Sequence, residues 1–97
     1  MIRHVVLLEF RPSTPDGHLE QVVERLQELP SQIPSVQDYT VGRDVGLAEG
    51  NAHLAVSGDF DDVDGYLVYR DHPAHRAVID ELILPHLQSR SAVQFEL

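Results

Sequence analysis

Six histidines and three tyrosines stand among 97 residues. Imidazole and phenol are the side chains best suited to moving protons near neutral pH. The densest group is Tyr69-Arg70-Asp71-His72-Pro73-Ala74-His75. Proline fits the first position of a helix, so His72 reads as the cap and His75 falls at about the third helical position. There the helix dipole disfavours imidazolium, and His75 is expected to be a neutral ring able to accept a proton. Tyr69 can present a phenol beside it as donor or orienter, whereas Tyr66 reads as core or rim packing.

His4 and His53 each lie near the start of an apolar, strand-like run, where a pocket at one end of a sheet would find them. Taken singly, each reads more readily as a core histidine hydrogen-bonded to backbone or water than as a catalytic one. His18 and His86 read as surface positions on helices. The pair His72 and His75 has a spacing that suits a metal on one helix, but His72 lies outside that helix and no carboxylate clearly converges with it. No metal and no cofactor is therefore expected.

The composition excludes more. There is no cysteine, so thiol nucleophiles, disulfides and cysteine-ligated metals are ruled out. All basic residues are arginine, which removes Schiff-base chemistry and a phosphate loop of the Walker kind. The net charge of −9 repels phosphate backbones and anionic lipid, so nucleic acid and membrane are not expected partners. Ser57 has no Gly-x-Ser-x-Gly context, and Gly42, Gly46 and Gly50 match no nucleotide fingerprint. No stretch approaches the roughly 20 apolar residues of a membrane span, and the first ten residues hold too short an apolar run for a leader. A cytoplasmic protein with one domain over residues 1–97 is the expectation.

The elements that must position these groups follow from periodicity. Residues 2–10 read as a strand with Ile2, His4, Val6, Leu8 and Phe10 on one face and Arg3, Val5, Leu7 and Glu9 on the other. Thr14, Pro15 and Asp16 signal a helix start, and Leu19, Val22, Val23, Leu26 and Leu29 form the apolar stripe of about four turns that Pro30 and Pro34 end. Glu20, Glu24 and Glu28, with Asp16, look like its solvated face. Strands are expected at 36–41, 52–60 and 92–96. Asp61 and Asp62 open a short helix carrying Tyr66 and Tyr69, and a further helix from Pro73 carries Val78, Ile79, Leu82 and Ile83 until Pro85.

The order β-α-β-β-α-β is the ferredoxin-like arrangement, an α+β fold with a four-stranded antiparallel sheet. Its helices cover one sheet face only, yet strand 1 is apolar on both. Covering the bare face with a second copy predicts a homodimer through sheet faces, in which either Val5 or Leu8 faces the partner.

Over nearly its whole length the chain resembles the stress-responsive A/B barrel (Dabb) family. The resemblance rests on His4-Val5-Val6-Leu7, Leu29-Pro30-x-x-Ile33-Pro34, Val41-Gly42-Arg43-Asp44, His53, and above all Tyr69-x-x-His72-Pro73-Ala74-His75. It implies a dimeric α+β barrel, and a function that varies among members. Many are known only as stress-induced proteins, and one plant member closes a linear polyketide by aldol condensation. Carried over by motif position, the resemblance implies His75 and Tyr69 as catalytic residues and His4 and His53 as pocket-lining ones. Three readings follow: a stress-responsive protein binding a small apolar or polyketide-like molecule without turnover, a cofactor-free polyketide cyclase or lyase, and, on fold analogy alone, a cofactor-independent monooxygenase.

Overall fold

The structure, a computed structural model, describes residues 1–97. Strand β1 (Ile2–Phe10) leads through a turn to helix α1 (His18–Gln27) and a one-turn helix α2 (Leu29–Gln32). Strands β2 (Val36–Arg43) and β3 (Leu54–Phe60) follow, then helices α3 (Val63–Asp71) and α4 (Pro73–Val78). A π-helical turn (Ile79–Ile83) and a 3₁₀ turn (Leu84–His86) connect α4 to β4 (Leu87–Glu96). The four strands form one sheet in the order β2-β3-β1-β4, antiparallel throughout, which is the ferredoxin-like fold expected above.

Local chemistry moves several element ends away from the sequence-based positions. Thr14 does not cap α1. Its hydroxyl donates to the Arg11 carbonyl at 2.7 Å, and the helix starts at His18 after Gly17 turns left-handed at φ 81. Glycine tolerates that turn because it lacks a Cβ, and the helix cannot extend back through it. Pro30 does not end the helical run either. It sits in the first turn of α2, where its missing N–H costs nothing, so the chain bends at Glu28 and Leu29 stays buried. Strand β4 is twice the expected length, because residues 87–91 continue the ladder with β1 although 88–91 are polar. Asp62 caps α3, its carboxylate accepting from the Gly65 N–H at 2.8 Å.

The core lies between the helices and one sheet face. Val6, Leu8 and Phe10 from β1 and Leu54, Val56 and Phe60 from β3 meet Val22, Leu26, Leu29, Ile33, Tyr69 and Val78. Leu8 therefore faces this core, and Val5 is the one of the pair on the opposite face. That face carries no helix. On it Val5, Leu7, Val93 and Phe95 form an apolar area along β1 and β4, with Leu7 and Phe95 each 44% exposed. Beside it Arg3 grips the buried Asp59 with two hydrogen bonds of 2.8 and 2.9 Å. No helix is long and apolar enough to cross a membrane.

Candidate functional site

Helices α3 and α4, the π-helical turn and the β1–β4 side of the sheet enclose a cavity of about 350 Å³. That is within the range of small-molecule sites. Val6, Leu8, Val56, Ile79, Ile83 and Leu87 supply its apolar wall, and the polar groups on it include His4, Tyr66, Tyr69 and His75.

His75 is the third residue of α4, as the sequence predicts. Its ring lies over that of Tyr69 with centroids 4.2 Å apart. Nδ1 lies 3.0 Å from the Arg70 carbonyl, which can only accept, so Nδ1 carries the proton. Nε2 is left as the basic nitrogen. The pKa of His75 is lowered, mainly by burial and further by the nearby cations Arg76 and Arg90. The neutral form expected from helix position thus has a different principal cause, desolvation.

Tyr69 is both more buried and more tied down than the sequence suggests. At 2% exposure it belongs to the core as well as to the cavity, and its hydroxyl is 2.8 Å from that of Tyr39 on β2. Burial pushes the Tyr69 phenol up to about 12 and raises Tyr39 still further. Both remain protonated at neutral pH, and one of the two hydroxyls donates to the other.

His4 is 4% exposed and lies under Tyr66, with ring centroids 5.0 Å apart. The Gln94 side-chain amide donates to its Nδ1 at 2.7 Å, which places the proton on Nε2. Burial above all, with Arg90 and His75 adding to it, lowers its pKa to about 4, so the ring is a neutral N–H donor.

His53 does not join them. It sits just before β3, accepts the Phe10 N–H on Nδ1 at 2.9 Å, and borders a separate hollow with Glu9, Arg11 and Gln88. The reason is topological. Strands β1 and β3 run antiparallel, with His4 opposite Gly58 and Leu8 opposite Leu54, so residues near the start of each strand lie at opposite ends of the sheet. His72 caps α4, accepting the Ala74 N–H at 3.0 Å. His18 and His86 are half-buried and packed on each other at 4.4 Å, and His18 donates to the Leu82 carbonyl at 2.6 Å. They are not the free surface residues expected. Nowhere do three histidine, aspartate or glutamate side chains converge as metal ligands.

Sequence reasoning passed over Tyr39, Gln94 and Arg90. Tyr39 was legible only as an alternating position of a strand, and the other two depend on the length and register of β4.

Residues 2–97 match the family model described as the stress responsive A/B barrel domain. A stress-response A/B barrel domain-containing protein of Arabidopsis thaliana is 31% identical over 93 residues, covering 84% of this chain and 80% of that protein. A dimeric ferredoxin-like protein of unknown function from Thermobifida fusca superposes with a TM-score of 0.91 at 44% identity, covering 99% of this chain and 90% of the other. The hydroxynitrile lyase of Passiflora edulis superposes at 0.84 with 16% identity, covering 99% and 92%. At that identity the likeness concerns the fold alone.

Proposed function

The chain belongs to the stress-responsive A/B barrel family, and from that premise we propose that it binds a small, largely apolar molecule in the His4–Tyr69–His75 cavity, with His75 able to act on it as a base. The observation that carries this reading is the hydrogen bond from His75 Nδ1 to the Arg70 carbonyl. It orients the ring and leaves a basic Nε2 on a residue of an apolar cavity, where desolvation keeps the nitrogen unprotonated. A carbon acid such as a poly-β-keto chain is the substrate class this suits. As Nε2 takes the proton from carbon, the electron pair left behind moves onto the neighbouring carbonyl oxygen. The Tyr69 hydroxyl, with Tyr39 donating to its oxygen, and the His4 Nε2–H are the donors available to that developing enolate. Attack of the enolate carbon on another carbonyl of the same chain, with the Nε2 proton passing to the alkoxide so formed, or return of that proton to carbon, restores neutral His75 without a cofactor.

The test is turnover of a synthetic poly-β-keto thioester, followed by loss of its enol absorbance and by product mass. Cyclised product formed by the wild type and not by His75→Gln supports the base. Tight binding without turnover in both would restrict the function to ligand binding, which is the other reading the cavity suits.

The same proposal includes a homodimer. Val5, Leu7, Val93 and Phe95 leave an apolar face that the chain's own helices do not cover, and the Thermobifida fusca relative is dimeric. Val5→Asp would place an unpaired charge in that interface, at a cost of several kcal/mol. Sedimentation equilibrium should then show monomer or unfolded chain where the wild type is dimeric; a folded wild-type monomer at micromolar concentration would remove the dimer from the reading.

A further inference from the structure

Charge is distributed around the cavity in a way its apolar floor does not explain. The chain holds 16 acidic and 7 basic residues. None of the acids lines the cavity, while three of the arginines do: Arg70, Arg76 and Arg90. Two of these are already answered. Arg70 makes two hydrogen bonds of 2.9 and 3.1 Å to Asp71, and Arg76 lies 3.6 Å from Asp80. Arg90 has neither an acidic partner nor a side-chain hydrogen bond. It projects from β4 on the cavity side, opposite Leu8 and two same-face positions along the strand from Gln94, the residue that holds His4.

We propose that Arg90 is the anion-binding residue of this cavity, and that the molecule bound there is an apolar acid whose carboxylate lies against the Arg90 guanidinium. An unpaired guanidinium at the rim of an apolar cavity offers a fork of donors matched to a carboxylate. In a protein of net charge −9, an acid-free cavity with a cationic rim also concentrates the field that would draw an anion inward. The proximity of Arg90 to the proton-handling groups has a second sign. After burial, Arg90 is the next cause holding His4 below its ordinary range, and it acts on His75 in the same direction. A bound carboxylate would offset that influence, so occupancy and the basicity of His75 are coupled. The inference rests on the cavity being a ligand site, as read above, and adds the ligand's charge.

Binding of 2-naphthoate and of its neutral isostere 2-naphthamide, measured by calorimetry at pH 7.5 and moderate ionic strength, tests it. The wild type should hold the carboxylate about ten- to a hundredfold more tightly than the amide, the usual worth of a hydrogen bond to a charged group. Arg90→Gln should bring the carboxylate down to the level of the amide and leave the amide unchanged, and Arg90→Lys should keep part of the preference. Arg90 is exposed on an edge strand, so both variants should melt close to the wild type. Equal affinity for the two probes in the wild type, or a preference that survives Arg90→Gln, overturns the assignment of Arg90 and leaves the cavity reading standing. If neither probe binds, the cavity reading falls, and this inference with it.

Discussion

At the cap of α4 and three residues into it stand two histidines that use their rings in opposite senses. His72 accepts a backbone N–H on Nδ1, so its lone pair is consumed by the helix it starts. His75 donates from Nδ1 to a backbone carbonyl, so its lone pair on Nε2 is spare. The sheet repeats the first pattern, since His4 and His53 both accept on Nδ1, from the Gln94 amide and the Phe10 N–H. His18 also donates to a backbone carbonyl, but from Nε2, to a partner in the π-helical turn, and its ring meets that of His86 edge-on, away from the cavity. Histidine count alone therefore says little about chemistry. What separates a strut from a base is which nitrogen the backbone has taken, together with whether the ring borders a cavity.

The largest effect that sharpens this contrast is on turnover. His75→Ala should lower kcat/KM for a carbon-acid substrate by about 10²- to 10⁴-fold, the usual worth of a positioned acid or base. His72→Ala should leave it within a few-fold. Tyr69→Phe should slow turnover by about ten- to 10⁴-fold, and it should also lower stability. It strands the Tyr39 hydroxyl, at a cost of about 1–3 kcal/mol. Tyr39→Phe removes the same hydrogen bond while leaving the Tyr69 hydroxyl, so comparing the two variants separates chemistry from packing. Should His75→Ala retain full rate, or His72→Ala lose it, the distinction between the two rings fails.

Much of this was legible before the fold was known, and the remainder was hidden for physical reasons. Proline at 73 is enough to place His72 as a cap and His75 as the third helical residue, because the ring of proline dictates where a helix begins. Alternation along residues 2–10 is enough to put His4 on the same face as Val6 and Leu8. The partnership of His4 with His53 could not be judged that way. Position within a strand says nothing about which end of the sheet it occupies until the pairing direction is known. The Tyr39–Tyr69 hydrogen bond and the Arg90 position are long-range facts of the same kind. The polar stretch 88–91 also lacks the apolar alternation by which a strand is recognised, since β4 is an edge strand whose residues beyond Leu87 are exposed.

A smaller effect distinguishes His4 from the other Nδ1 acceptors by pH. Its pKa falls from 6.5 in the unfolded chain to about 4 in the folded one. Above pH 6.5 both states are neutral there and the residue adds no pH dependence. Between those values the unfolded chain binds a proton that the folded chain refuses, so stability falls as the pH is lowered through this window. The loss reaches at most about 3 kcal/mol near pH 4. His75, lowered in the same direction, adds to the slope. Asp59, held down by the hydrogen bonds from Arg3, contributes only below its ordinary value of 3.8, as its carboxylate is protonated. Urea midpoints between pH 7 and 4.5 should therefore decline for the wild type and decline less for His4→Gln. Parallel curves would mean that His4 is protonated without penalty and does not sit in a desolvated wall.

The smallest effect belongs to the struts themselves. His72→Ala removes the side-chain acceptor at the start of α4 and leaves the Ala74 N–H to water, which the half-exposed cap admits. Loss of a side-chain cap costs about 0.5–2 kcal/mol. His53→Ala leaves the Phe10 N–H without its partner at the end of β1, where β1 and β4 also shift register between Glu9 and Phe10. A comparable cost of about 1 kcal/mol is expected. In both variants the cavity is unchanged, so binding of a cavity ligand should match the wild type once the melting curves are allowed for. His72→Asn decides the matter, because asparagine is a good cap that supplies an acceptor without an imidazole. If stability returns with asparagine and ligand binding never changes, His72 works through the helix start alone. If ligand binding falls in His72→Ala and stays low in His72→Asn, the imidazole itself reaches the ligand, and the line drawn between His72 and His75 is in the wrong place.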